Sequence, residues 1–225
     1  MSFFNQDYLD FFTELDQNNH KEWFDANRKR YEKSVKKPFE NFVRRMIELV
    51  QTDDKTVLVE PKNCMFRINR DIRFSKDKTP YKTNRSAAIS RNGRKEMGIP
   101  GLYFHFGHKS IGIYGGCYMP DKEMLADIRY QIANDLEGFE AAISDKNFQK
   151  MWGTVHGKKN KVIPKDLKEI AEKLPLIYNK QFYYGVELPA ENVLRKDLDA
   201  YIFEHHMAAK PLRVWLTKAI GAWVA

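Results

Sequence analysis

Apolar side chains in the first fifty residues recur at helical intervals. Leu9, Phe12 and Leu15 fall on every third position before Asn18-Asn19 interrupts the run. Asn19, with Glu22 at capping-box spacing, predicts the start of a second helix. On that helix Trp23, Phe24, Asn27, Tyr31 and Val35 share one face, while Asp25, Arg28, Lys29 and Glu32 lie away from it. Pro38 suits the first turn of a third helix. There Phe39, Phe42, Val43, Met46, Ile47 and Val50 form a continuous apolar stripe.

From about residue 57 the pattern changes to strict alternation. Phe66 and Ile68 alternate with Arg67 and Asn69, and Ala87 and Ile89 with Ser86, Ala88 and Ser90. Leu102, Phe104 and Phe106 share a face opposite Tyr103 and His105. Ile111 and Ile113 follow a short Gly107-His108-Lys109-Ser110 connection, which predicts a hairpin. Such alternation predicts an antiparallel meander with one face on helices and one polar face. Helical spacing returns after Pro120-Asp121 with Met124, Leu125, Ile128 and Ile132, and continues through Phe139, Ile143, Phe148 and Trp152. Lys165 to Leu174 predicts a short helix, and Phe182 to Leu188 and Ala200 to Phe203 predict strands. Pro211 opens a final helix carrying Leu212, Trp215, Leu216 and Ile220. With no repeat, low-complexity stretch or linker, the expected architecture is α+β. An antiparallel β-meander packs on N-terminal and C-terminal helices in a single domain over residues 1–225.

Composition supports a packed core: 43% of the 225 residues are hydrophobic and 13% aromatic, and the 30% charged fraction gives no sign of global disorder. Two cysteines, Cys64 and Cys117, are too few for a disulfide framework, and their apolar surroundings predict buried thiols. The N-terminus lacks the basic start of a signal peptide, and no apolar run reaches the length of a spanning helix. A cytoplasmic protein with no membrane association is expected.

Charge changes the picture more. Residues 62–95 hold eleven Lys or Arg and two acids, a net charge of +9, while the whole chain carries +8. The excess is therefore concentrated, which marks a place where an anion sits. Ser75 to Pro80 has loop composition, and Thr79 before Pro80 is biased to extended geometry. The motif thus reads as a strand delivering Arg67, a loop rich in Lys and hydroxyls, and a returning strand from about Asn84.

The string FRINRDIRFSKDKTPYKT at 66–83, with NNHKEWFDANRKRYE at 18–32, YFHF at 103–106, IYGGCYMP at 113–120 and Ile128-Arg129, resembles a bacterial and fungal family catalogued as a domain of unknown function, DUF2461. The resemblance covers roughly residues 5 to 210 and is loosest after residue 157. It implies a single compact α+β domain. It brings no established activity, so no catalytic residue is carried over.

Function therefore rests on the residues. Arg presents a planar fork of donors that fits carboxylate or phosphate, Lys adds a point charge, and Tyr and Thr add hydroxyls. Arg67, Arg70, Arg73, Lys76, Lys78, Tyr81, Lys82 and Arg85 are the candidate ligand-binding set for an anionic small molecule, with Tyr81 and His105 as candidate proton-transfer groups. The structural alternative pairs these cations with Asp71, Asp77, Glu22, Asp25, Glu60 or Glu96, with Arg70-Asp71 and Lys76-Asp77-Lys78 pinning the loop to the helices. Arg91, Arg94 and Lys95 are expected in a solvated turn. Nucleic-acid binding is the second functional reading, from the pI near 9.3 and the interleaved Phe66, Phe74 and Tyr81. Docking of an acidic protein is the third. No metal site or cofactor is expected: His105, His108, His205 and His206 lack metal-ligand spacing. Gly112, Gly115 and Gly116 form neither dinucleotide nor phosphate-loop motif and predict a bulge or a close backbone approach.

Overall fold

A computed structural model describes residues 2–222. Four strands, β1 (Asn84–Ile89), β2 (Gly101–Gly107), β3 (Ser110–Cys117) and β4 (Phe182–Pro189), form one antiparallel sheet in the order β1-β2-β3-β4. Helices flank it, so the α+β meander expected from alternation is what forms. The chain packs as two compact units. One comprises Met1–Arg94, Tyr103–Ile113 and Glu187–Phe203; the other comprises Lys95–Leu102, Tyr114–Val186 and Glu204–Ala225.

The core of the first unit is aromatic. The helix Gln6–Gln17 buries Tyr8, Phe11, Phe12 and Leu15, and the helix Lys37–Asp53 buries the whole stripe from Phe39 to Val50. Phe42 meets Phe104 at 5.5 Å and Phe106 at 5.3 Å, both edge-on, the arrangement that ring quadrupoles favour. The Tyr8 hydroxyl donates to the Phe106 carbonyl at 3.1 Å, so its burial leaves no unmet donor. Arg30 ties the second helical stretch to the first, with Asp7 at 2.7 Å and Glu14 at 2.7 Å.

That second stretch is not one continuous helix. It runs from Lys21 to Ala26, breaks at Asn27, resumes over Arg28–Arg30 and widens into a π-helix at Tyr31–Lys36. Pro38 supplies the reason. It has no N–H to give to the carbonyl four residues back, and its ring crowds that carbonyl, so the turn before it opens. The wide turn still faces Tyr31 and Val35 inward. The helix start also lies one residue later than expected. His20, not Asn19, is the N-cap, its ring accepting from the Trp23 amide at 3.4 Å. Asn19 is used elsewhere, as described below.

In the second unit, the helix Lys122–Asn134 is capped by Asp121, whose carboxylate accepts from the Met124 amide at 2.8 Å. Helices Leu136–Ile143 and Lys146–Trp152 follow. Phe139 packs on Trp215 at 4.8 Å, and Trp152 on Tyr184 at 4.9 Å. Arg129 is buried, and its guanidinium donates to the carbonyls of Ile177 at 2.9 Å and Asn179 at 3.0 Å. The strand expected at Ala200 to Phe203 is absent. Those residues lie inside the helix Leu198–Ala208, where Leu198 and Ile202 are buried one turn apart. Cys64 and Cys117 are both buried, and burial pushes the Cys64 thiol up to about 11. Among the described residues, no helix is long and apolar enough to cross a membrane.

Two glycines of the IYGGCYMP string allow β3 and β4 to approach. Gly115 lies directly under the Tyr184 ring. Gly116 adopts φ +91°, and a Cβ there would run into the Phe182 carbonyl. Gly116→Ala is therefore expected to lose about 1–3 kcal/mol through backbone strain alone, lowering the thermal midpoint by roughly 2–4 °C per kcal/mol. Thermal unfolding of the purified variant measures it.

Candidate anion site

The basic motif folds as an arm along the outer edge of β1. Met65 bridges Ala87 and Asn69 bridges Tyr81, both antiparallel. The Phe66 amide donates to the Ser86 carbonyl at 2.9 Å, and the Lys82 amide to the Ile68 carbonyl at 2.8 Å. Two short ladder pieces thus replace the full strand expected at Phe66–Asn69, and the segment between them forms a tip. Asn19 pins the base of the arm. Its side-chain amide donates to the Tyr81 carbonyl and accepts from the Tyr81 amide, each at 3.0 Å. The Tyr81 ring stacks on Phe24 at 4.1 Å with 17° between planes. Tyr81 is therefore a buried anchor, and its ring is spent on packing.

The structure divides the cations of the motif into two groups. Members of the first are satisfied within the tip. Arg70 pairs with Asp77 and donates to the hydroxyls of Thr79 and Ser75. Arg73 holds Asp71 with two donors, at 3.0 and 2.7 Å. Lys78 donates to the Ile72 carbonyl at 2.9 Å. The pairing differs from the expected Arg70-Asp71 and Lys76-Asp77-Lys78, and it closes the tip on itself instead of tying it to the helices. The Asp77 carboxyl is held down to about 2, first by the Thr79 amide and then by Arg70. Arg91 also departs from expectation. Its side chain is 17% exposed and lies 3.6 Å from Asp54, and Arg94 donates to the Lys62 carbonyl, so this turn is anchored more than solvated.

The second group is Arg67, Lys76, Lys82 and Arg85. Among the described residues, none of these four makes a side-chain hydrogen bond or ion pair. Lys76 is exposed at the tip. The other three are electrostatically coupled. Lys82 is half-buried with its ammonium 5.5 Å from the Phe66 ring centre. Desolvation holds its pKa below the ordinary lysine value, and the charges of Arg85 and then Arg67 depress it further. Arg85 is only 5% exposed, and its Nε has no acceptor. The guanidinium lies over Phe39 at 5.5 Å and close enough to Tyr8 and Tyr31 to favour their ionised forms, although burial dominates both phenols. Alternation could have revealed this burial, because Arg85 shares the parity of Ala87 and Ile89 and therefore faces the helices.

His105 projects from the other face of the sheet. Its Nε2 reaches Glu187 at 3.4 Å, so the contact spans β3, where Gly112 on that face carries no side chain. Tyr103 stands 6.0 Å away along the same strand and 6.1 Å from Phe66. Burial lowers the His105 pKa, and Glu187 partly opposes it. His108 faces Asp16 at 3.3 Å, and His205 and His206 are buried. Among the described residues, no three His, Cys, Asp or Glu side chains are grouped to hold a metal ion.

Fold and motif together define an α+β protein built on a four-stranded meander with a basic arm at its edge. Residues 7–215 match the family described as conserved hypothetical protein (DUF2461), and the chain belongs to that family. No curated protein and no solved structure is found to match it.

The His105 shift gives a titration test. Its native pKa lies below the ordinary value of roughly 6.5, so the unfolded chain takes up the proton first. His105 therefore stabilises the fold above that pH, and the contribution is lost as pH falls through the native pKa. In NMR titration the His105 midpoint should fall below the ordinary value, and Glu187→Gln should move it lower still.

Proposed function

We propose that this protein binds a small phosphorylated or carboxylated anion at Arg85, Lys82 and Arg67. The observation that carries the reading is Arg85. A guanidinium removed from water without acceptors is costly, and structural arginines normally avoid that cost as Arg129 does, by donating to carbonyls. Among the described residues Arg85 has no such acceptor, and Lys82, which lies within reach of the charges of both Arg85 and Arg67, is also a cation. An oxyanion seated there would accept from the guanidinium, relieve the repulsion, and return the Lys82 pKa toward its ordinary value. Phosphate and carboxylate both match an arginine fork. Arg70 and Arg73 are neutralised by Asp77 and Asp71 inside the tip, and Lys78 reaches the Ile72 carbonyl there, so these three are not counted in the small-anion set. Tyr81 anchors the arm through its ring and backbone and is not counted in the set. His105 projects from the face of the sheet opposite Arg85 and drops out of this site as well.

Two charges withdrawn from water, Lys82 and Arg85, with the exposed Arg67 near Lys82, predict a characteristic pair of outcomes. In anion-free buffer Lys82→Met and Arg85→Met should melt at or above the wild-type temperature, since each removes a desolvated, unpaired charge of similar shape. Inorganic phosphate should raise the wild-type melting temperature, by about 2.7 kcal/mol of stabilisation at a hundredfold excess over Kd, and should leave both variants unmoved. Lys76→Ala should keep the full response. A wild-type midpoint flat against phosphate and a carboxylate panel, or a response retained in both variants, would refute the reading.

A further inference from the structure

Phe74 is 96% exposed at the tip of the arm. Exposure of so large an aromatic ring leaves its stacking faces open to solvent, and a partner finds them ready in place only when the backbone beneath is fixed. Here it is fixed. Arg70 clamps Asp77, Thr79 and Ser75 from inside the loop. The Arg70 amide donates to the Pro80 carbonyl at 2.9 Å, the Ser75 amide to the Ile72 carbonyl at 3.3 Å, and Lys78 to the same Ile72 carbonyl. Asp77 also accepts from the Thr79 amide at 2.9 Å. The ring is thus presented on a braced scaffold, with the Arg73 guanidinium 5.9 Å from its centre. Lys76 and Lys78 are exposed on the same tip, and Lys76 has no partner among the described residues.

We propose that the tip, residues 71–80, is a contact for single-stranded nucleic acid, in which a base stacks on Phe74 and Lys76 and Lys78 meet the flanking phosphates. A flat, exposed ring beside exposed ammonium groups is the combination that binds single strands without base readout, since every base offers a stacking face and every linkage a charge. A membrane surface fits less well. Phe74 is the only large apolar side chain among the exposed ones that belongs to the tip, and the carboxylates of Asp71 and Asp77 stand beside it and would have to leave water with it. In duplex the bases are already stacked on one another, so Phe74 gains nothing there. The tip residues are distinct from Arg67, Lys82 and Arg85, so this surface stands or falls independently of the small-anion site.

Fluorescence anisotropy at low salt with a labelled single-stranded oligonucleotide, the matching duplex, and anionic phosphatidylserine vesicles tests the proposal. The single strand should bind, and Phe74→Ala should weaken it by about 5- to 150-fold, the fold-change that corresponds to losing about 1–3 kcal/mol of stacking. Phe74→Trp should restore binding, and its fluorescence should be quenched on addition of the oligonucleotide. Lys76→Ala should lower the slope of log affinity against log salt by about 0.7, one phosphate contact. Because Phe74 and Lys76 are exposed, these variants should melt with the wild type, and both should retain the response to inorganic phosphate. Absence of oligonucleotide binding, duplex binding of equal strength that ignores Phe74, or Phe74-dependent binding confined to the vesicles would each overturn the proposal.

Discussion

A charged group can leave water only where acceptors or an opposite charge wait for it, and that constraint organises this protein. Arg129 meets it with two backbone carbonyls. Arg30 meets it with two carboxylates, and in doing so fixes the helix Gln6–Gln17 against the stretch that follows. Arg70 meets it inside its own loop. Arg85 is buried as deeply as Arg129, and among the described residues it has the Phe39 ring face but neither a hydrogen-bond acceptor nor an opposite charge. Once the paired cations are set aside, Arg67 and Lys76 are exposed, and Lys82 and Arg85 are the ones withdrawn from water. Sites that sacrifice stability are where function is concentrated.

Much of the fold was legible because its signals are local. The stripe from Phe39 to Val50 admits only one helix, and the alternation through Leu102, Phe104 and Phe106 admits only a strand with one buried face. The misreadings have physical causes. Asn19 and His20 can both cap a helix, and the choice falls on His20 because Tyr81, sixty-two residues away, engages both ends of the Asn19 amide. Ala200 to Phe203 is too short for a period to show, and its burial one turn from Leu198 decided it as helix. The break at Asn27 was also hidden, and so was the π-helix at Tyr31–Lys36, although Pro38 is the visible cause of the latter.

The candidate site was legible as a segment and not as a set of residues. Composition located the charge but could not assign partners, because Asp71 and Asp77 each have several cations within reach along the chain. Closure of the tip decides between them, giving Asp77 to Arg70 and Asp71 to Arg73. Tyr81, expected as a hydroxyl donor, also anchors the base of the arm, its ring stacked on Phe24 and its backbone held by Asn19. What remains is narrower than the motif and lies partly beneath it.

The brace of the tip has a consequence of its own. Among the described residues, the hydrogen bonds that shape the loop all run between positions from Arg70 to Pro80, so its hydrogen-bonded shape is written in eleven consecutive positions. A loop ordered in this way has already surrendered its conformational entropy during folding, and little remains to be lost when a partner arrives. Such a loop is also portable: joined to any hairpin whose strands stand at the same spacing, it would carry its shape with it.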